Sequence, residues 1–265
     1  MKIPFSYQLL HIYGPFAIHS YGLFIALGIL VGVSLMRRNK RFIALHLESH
    51  YVNGILVGIA AGVIGGRALA ILSEPYLYPQ WTDWFSLWDG GFSILGTIVA
   101  ISTLVPLYLK KINVPIIPVC DLVSLYAPLM QSIARLGCFT AGCCHGIATQ
   151  SICAVIYTNK NTIATYGIAV HPTQLYSSLL LFTSFLFMFF VAQRYLKKPG
   201  QLFATYLMLA STERFIVDFW RSDRIMSTRY LSFHQCIAVA IFCIAALANI
   251  ALLLYSKHKN KRTIV

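Results

Sequence analysis

Arg67, Arg135 and Arg214 each lie inside a run of otherwise apolar residues. A guanidinium keeps its charge at any ordinary pH. Placing one in hydrocarbon costs from roughly 3 to more than 10 kcal/mol. Such a side chain faces a cavity, an acidic partner or an anionic ligand. Three of them point to a pocket for a negatively charged group such as a phosphate. Two guanidiniums from different helices would grip a phosphodiester bidentately. They would also stabilise the charge that develops as a phosphate leaves. The competing reading is structural. Asp121, Glu213 and Asp218 fall at membrane depth, and Arg214, Asp218 and Arg221 share one helical face at i, i+4 and i+7. On that reading Asp218 only holds Arg214 in place.

The segment from Ala134 to Gly146 is the most unusual in the chain, with Arg135 expected at a helix end and then a glycine-punctuated turn bearing Cys138, Cys143, Cys144 and His145. Several chemistries stay open. Cys and His are zinc ligands, but the spacing does not match a C-x2-C pair, so no metal and no cofactor are expected. Cys138, Cys143 and Cys144 would serve as a redox group. Cys144 beside His145 would serve as a thiolate–imidazolium pair. The thiols would also simply pack, with one structural disulfide. Further along, His171-Pro172-Thr173-Gln174 opens a helix that Thr173 would cap, and a helix N-terminus attracts anions. His19 and Tyr21 lie at the outer end of the first apolar run, as interfacial residues or as cavity liners.

These residues need a bundle of helices to position them. The 265 residues are 58% hydrophobic and only 11% charged, against about 25% charged in a soluble domain. The fold class is therefore an all-α polytopic membrane protein, one domain over 1–265. Seven spans are expected, near 16–36, 52–72, 92–109, 115–135, 174–192, 201–220 and 235–255, around a central lipid-binding cavity. No cleavable signal peptide is expected, because Pro4 and Ser6 interrupt the start. Thirteen of the 21 Lys and Arg residues fall on one side of such a bundle, after spans 1, 3 and 5 and in the tail. By the positive-inside rule the N-terminus faces out and the tail faces the cytoplasm. The same basic clusters favour anionic membrane lipids as partners. They exclude nucleic acid, since no soluble domain presents the charge.

Of the seven cysteines, four (Cys138 to Cys153) belong to or border an expected outer loop, 136–173, where a disulfide is chemically allowed. Gly54, Gly58, Gly62 and Gly66 form a small-residue ladder for close helix packing, and the last leads into Arg67. Trp81, Trp84 and Trp88 suit the interfacial belt. Trp88-Asp89-Gly90-Gly91 reads as a turn.

From His19 to Gln235 the ordered pieces resemble the bacterial prolipoprotein diacylglyceryl transferases. They are His19-Ser20-Tyr21-Gly22-Leu23, Gly65-Gly66-Arg67, Trp88-Asp89-Gly90-Gly91-Phe92-Ser93, Asp121, Pro128, Arg135-Leu136-Gly137, His171-Pro172-Thr173-Gln174-Leu175-Tyr176 and Arg214-Phe215-Ile216-Val217-Asp218-Phe219-Trp220-Arg221. The resemblance implies a multi-pass enzyme of the bacterial inner (plasma) membrane. Such an enzyme moves diacylglyceryl from phosphatidylglycerol to the thiol of a prolipoprotein lipobox cysteine peptide and releases glycerol phosphate. It further implies that Arg135 and Arg214 are catalytic, holding the phosphate as it departs. Tyr21, Arg67, Gly137, His171, Gln174, Asp218 and Arg221 then belong to the substrate site.

The chain departs from the family pattern at the site itself. Leu95 stands where the family has a histidine thought important for catalysis. Cys138, Ala141 and Cys143 replace two asparagines and a glutamate, Ala210 a tyrosine, and Ser177 a glutamate. This marks a divergent, cysteine-rich branch, in which His145, with His171 second, is the expected base for the acceptor thiol. The alternatives are a different acceptor, a non-catalytic phospholipid binder and a membrane thiol oxidoreductase.

Overall fold

The structure is a computed structural model that describes residues 1–4, 8–13, 16–86 and 91–262, with the side chains of 8–13, 16–18 and 255–262 not described. The expected turn at Trp88-Asp89-Gly90 and the side chains of the basic tail from Lys257 lie outside the described residues.

Short strands β1 (Lys2–Ile3), β2 (Gln8–Tyr13) and β3 (Phe16–His19) precede α1 (Ser20–Arg37). Helices α2 (Lys40–Ala44), α3 (Tyr51–Ser73), α4 (Ile94–Lys111) and α5 (Ile116–Ala141) follow. After strands β4 (Val155–Tyr157) and β5 (Ala169–Val170), α6 (Thr173–Leu186) passes through a π-helical stretch, Phe187–Ala192, into α7 (Gln193–Tyr195). Helices α8 (Gln201–Asp218) and α9 (Phe233–Arg262) complete the chain. Among the described residues, six helical runs are long and apolar enough to cross a membrane: α1, α3, α4, α5, α6 through α7, and α9. Helix α8, expected as the sixth of seven spans, has the same 18-residue length as α1 but carries Glu213, Arg214 and Asp218. Large exposed side chains such as Leu30, Ile64, Ile98 and Leu247 cover the outer faces of the helices, as an apolar solvent requires and water forbids.

The chain divides into two compact units. One, residues 12–17 and 37–119, is built on the α3/α4 hairpin. A Cβ on Gly65 would stand 2.2 Å from the Cβ of Ala100, and one on Gly96 would stand 2.2 Å from the Gly65 carbonyl oxygen. Only glycine lets these two helices touch along their backbones. Thr97 closes the seam by donating to the Gly62 carbonyl at 2.9 Å, and Ser93 N donates to the Gly66 carbonyl at 2.9 Å. The glycine ladder read from the sequence is thus a packing face, and its tightest contacts fall at its Arg67 end. Gly54 and Gly58 meet nothing closer than 3.7 Å.

The other unit, residues 1–11, 18–36 and 120–265, holds α1, most of α5, and α6 to α9. Leu122, Leu125, Tyr126, Met188 and Leu202 form its buried interior. Helix α8 packs chiefly against α9 and α6. Its N-terminus is capped from a distance, since both oxygens of Asp121 accept, one from Gly200 N at 2.6 Å and the other from Phe203 N at 2.8 Å. Asp121 therefore answers exposed helix amides, and among the described residues it pairs with no arginine.

Helix α5 runs six residues past the expected end of its span at 135, and the loop expected from 136 begins at Gly142. Gly137 looked like a turn residue. It is instead a buried contact, where a Cβ would meet the Phe24 Cβ at 2.7 Å and the Tyr21 Cα at 3.2 Å. Its absence of side chain lets α1 cross α5. The helix stops at Gly142, at φ 80°, which donates to the Cys138 carbonyl at 2.9 Å in the manner of a left-handed cap. Over this end sits a small sheet in which β1 pairs parallel with β4, and β4 antiparallel with β5. Its core is Ile3, Phe139, Val155, Tyr157, Ala164 and Val170.

Candidate functional site

The loop after α5 is fastened on both sides. Ile147 N donates to the Trp220 carbonyl at 2.8 Å, at the end of α8, and Gly146 N donates to the His171 carbonyl at 2.9 Å, ahead of α6. Thr173 does not cap α6. It is the first helical residue, and its hydroxyl donates to the Cys144 carbonyl at 2.7 Å. Gln174, in the first turn of α6, donates to the Cys143 carbonyl at 2.7 Å. Both side chains are spent on holding the cysteine turn. His171 faces the Tyr176 hydroxyl at 3.2 Å, and Tyr176 packs edge-on against Trp220. The three segments form one scaffold.

On that scaffold the cations gather. Arg214 lies in the electrostatic reach of both Arg221 and Arg135. Its expected pairing with Asp218 is present, at 3.5 Å. Asp218 is fully buried and shared, however: Arg224 reaches it at 3.5 Å, His234 at 4.0 Å, and Ser232 donates to it. The expected continuation of that face to Arg221 fails, because α8 ends at Asp218. Arg221 turns instead to Asp223 and makes a bidentate pair at 2.8 and 2.6 Å. Among the described residues no carboxylate pairs with Arg135. Glu213, the third acid in this part of the chain, accepts from Ser177 on α6. Asp218 and Asp223 thus serve Arg214, Arg224 and Arg221, and even with Glu213 counted three carboxylates stand against four guanidiniums.

The thiols sit beside these cations. The Sγ atoms of Cys138, Cys143 and Cys144 all lie within 4.8 Å of one another, and all seven cysteines are free thiols. Hydrogen bonds from the Cys138 and Cys143 sulfurs, with the Arg221 charge, pull the Cys144 thiol below its ordinary range. Hydrogen bonding with Cys138 and Cys144, together with burial, pushes Cys143 up. Burial works against the Arg221 charge, and the contacts with Asp223 and Cys144 more than offset it. The same contact with Arg221 holds the Asp223 carboxyl below the usual carboxylate range. Tyr21, on α1, is in electrostatic reach of Cys138, Cys143 and Arg135. His145 is half-buried in the same turn, its Nδ1 3.2 Å from the Gly142 carbonyl, and Ser222 anchors its backbone oxygen.

Of the residues singled out from sequence, Arg135, Arg214, Arg221, Asp218, Tyr21 and the three cysteines come together, with His145, His171 and Gln174 in the scaffold around them. Gly137 contributes a helix crossing. Arg67 belongs to the other unit, where it donates to the carbonyls of Asp83, Trp84 and Gly91 and lies over the rings of Tyr78 and Phe92. Sequence reasoning missed Arg224, Ser232, His234 and Asp223. The only signal for them was the density of charge just past α8.

The prolipoprotein diacylglyceryl transferase family profile matches residues 7–251. The phosphatidylglycerol–prolipoprotein diacylglyceryl transferase of Clostridium tetani is 35% identical, covering 84% of this chain and 88% of its own. A second such transferase, from Clostridium perfringens, is 31% identical over 84% and 87%, and one from Dehalococcoides mccartyi 28% identical over 94% and 93%. With the match running through α1, both units and the cation-lined end of α8, this chain belongs to the prolipoprotein diacylglyceryl transferase family.

Proposed function

We propose that this chain transfers diacylglyceryl from phosphatidylglycerol to the thiol of a lipobox cysteine in a prolipoprotein, at the outer face of the bacterial plasma membrane. The observation that carries this reading is the excess of guanidinium over carboxylate around Asp218, with Arg135 left unmatched by any described acid. A phosphodiester headgroup supplies the missing negative charge. In the transfer, the acceptor sulfur attacks the glyceryl carbon next to the phosphate. The S–C bond forms as the C–O bond breaks, and the electron pair leaves with glycerol phosphate. Arg135 and Arg214 stabilise that departing charge, while Arg221, held by Asp223, and Tyr21 line the headgroup site. His145 is the nearest histidine of the cysteine turn to take the thiol proton. Helix α8 crosses the membrane as a seventh span, its charged residues turned from lipid, which puts the N-terminus outside and the tail in the cytoplasm.

Purified protein, phosphatidylglycerol in mixed micelles and a lipobox peptide test the reading by mass spectrometry. The expected product is the peptide carrying diacylglyceryl on sulfur, absent when serine replaces the peptide cysteine. Binding of phosphatidylglycerol with no thioether formed would overturn transfer and leave a lipid binder.

A further inference from the structure

We propose that Cys138, Cys143 and Cys144 form a three-thiolate site for a soft cation of the zinc class, with its fourth coordination position open to the acceptor thiol. The second half of this statement rests on the transferase reading above.

The donor set consists of sulfur alone, three Sγ atoms within 4.8 Å of one another. Thiolates select zinc-like or cuprous ions and disfavour the hard oxygen-seeking cations. A tetrahedral zinc with bonds of about 2.3 Å places its sulfurs about 3.8 Å apart, so the three converge by shifts of at most about an ångström. The backbone is already set for this. Gly142 at φ 80° and Cys144 at φ 59° curl the chain back on the last turn of α5, returning Cys143 and Cys144 to Cys138. Gln174 and Thr173 clamp the carbonyls of Cys143 and Cys144 at 2.7 Å each. The ligand arms are thus held from outside the first coordination shell, as a metal site requires. A dication with three thiolates is a net anion, and Arg221, in electrostatic reach of Cys144, balances it.

Plain packing accounts poorly for this arrangement. Cys138 is buried, but Cys143 and Cys144 are only partly buried, beside Arg221. Three protein ligands with one position free is the pattern of a working rather than a structural zinc. The chemistry also has a use for it. A thiol attacks carbon as thiolate, and coordination strips its proton outright. The family's histidine is Leu95 in this chain, and the coordinated ion would supply the same activation. The acceptor thiol binds the ion, which takes over the activation otherwise given to His145, and gives its proton to solvent. Its sulfur then takes the glyceryl carbon, and the electron pair of the broken C–O bond leaves on the phosphate.

The test uses full-length protein in detergent, kept reduced, with Co(II) as probe and Zn(II) as competitor. The expected result is one ion per chain with sulfur-to-cobalt charge-transfer absorption, displaced by Zn(II). Cys138→Ser, Cys143→Ser and Cys144→Ser should each weaken or abolish the band, while Cys153→Ser and Cys243→Ser leave it intact. Adding a lipobox peptide should shift the band, and a serine peptide should not. No stoichiometric ion in the wild-type protein, or an ion retained by all three single variants, overturns the site. An intact mass lacking two thiol protons under these conditions, showing a disulfide instead, does the same. Folding of a variant is checked by its melting temperature, and the wild-type stoichiometry stands whether or not a variant folds. The two readings fail separately. Metal bound without any thioether product leaves the site standing and sinks the transfer. Full transfer by protein stripped of metal with a chelator sinks the site and leaves the transfer.

Discussion

Arg67 and Arg135 look alike in sequence, each a lone guanidinium in an apolar helix, but their surroundings differ. Arg67 is closed in by three backbone carbonyls and two aromatic rings. It ties the segment that follows α3 back onto the helix. Arg135 lies in electrostatic reach of Arg214, Cys138 and Tyr21, and no described carboxylate pairs with it. A buried charge is therefore not by itself a site. It becomes one where the protein leaves its N–H groups without acceptors, as it does for Arg135 among the described residues and does not for Arg67, because those donors are then available to a ligand.

The sharpest break in that comparison is Arg135→Ala against Arg67→Ala. Loss of one donor to a departing anion typically costs 10²–10³ in rate, about 2.7–4 kcal/mol. Arg135→Ala should lower lipobox-peptide turnover by about that factor and leave the melting temperature close to wild type. Arg67→Ala should do the opposite. It removes the donor to three part-buried backbone carbonyls, hydrogen bonds worth about 0.5–1.5 kcal/mol each, so the melting temperature falls while turnover per folded molecule is retained. Equal activity losses with equal melting temperatures would end the distinction.

Gly96→Val attacks the same unit by packing alone. Any Cβ there meets the Gly65 carbonyl at 2.2 Å and the Leu69 Cβ at 2.6 Å. Neither helix backbone can yield without parting the hairpin. Overpacking costs about 1–3 kcal/mol or more. The expected readout is faster proteolysis between α3 and α4, with Gly54→Ala, which meets nothing closer than 3.7 Å, as the silent control.

The two regions were also unequally legible in the sequence. The spans and the α3/α4 ladder could be read because hydropathy and glycine spacing are local signals. The reach of α5 to Ala141 could not, because Gly137 is the same letter whether it turns the chain or admits α1. Asp121 looked like an arginine partner, since its real partners, Gly200 N and Phe203 N, are 79 and 82 residues away. Arg135 and Arg214 stood out against apolar neighbours. Arg224 did not, because it sits in a loop where charge is ordinary. The partner of Arg221 depended on where α8 stops, and helix ends are the least determined feature of a sequence. The meeting of three sulfurs depended on one left-handed turn at Cys144, which no ligand-spacing rule encodes.

A smaller effect should come from the Arg221–Asp223 pair. The folded state holds the Asp223 carboxyl below the usual range because Arg221 hydrogen-bonds its charged form. A depressed carboxyl contributes stability above its unfolded pKa and loses it as pH falls through the folded value. The pair should therefore persist through mildly acid solution and open only below the ordinary carboxylate range. The Asp223 side chain is 54% exposed, so solvent screening keeps the gain small. Melting temperatures of wild type and Asp223→Asn should differ slightly at neutral pH and converge in strong acid. Divergence on acidification would contradict the direction of the shift.

The smallest expected effect is at Leu95. It lies in the first turn of α4 with its side chain 64% exposed, at the position where the resemblance implies a histidine. A leucine can neither accept a proton nor bind phosphate, so Leu95→Ala removes apolar surface and no chemistry. Turnover should stay within about twofold of wild type, since surface changes of this kind lie within about 0.5 kcal/mol. Leu95→His restores the family's residue, and its outcome shows how activation is organised. If activation has moved to the cysteine–arginine end of the other unit, histidine there adds little, and the pH profile of turnover stays that of wild type. A large gain in rate, with a new ionisation near neutrality, would mean that the thiols replaced nothing and that the chain works below the rate its fold allows.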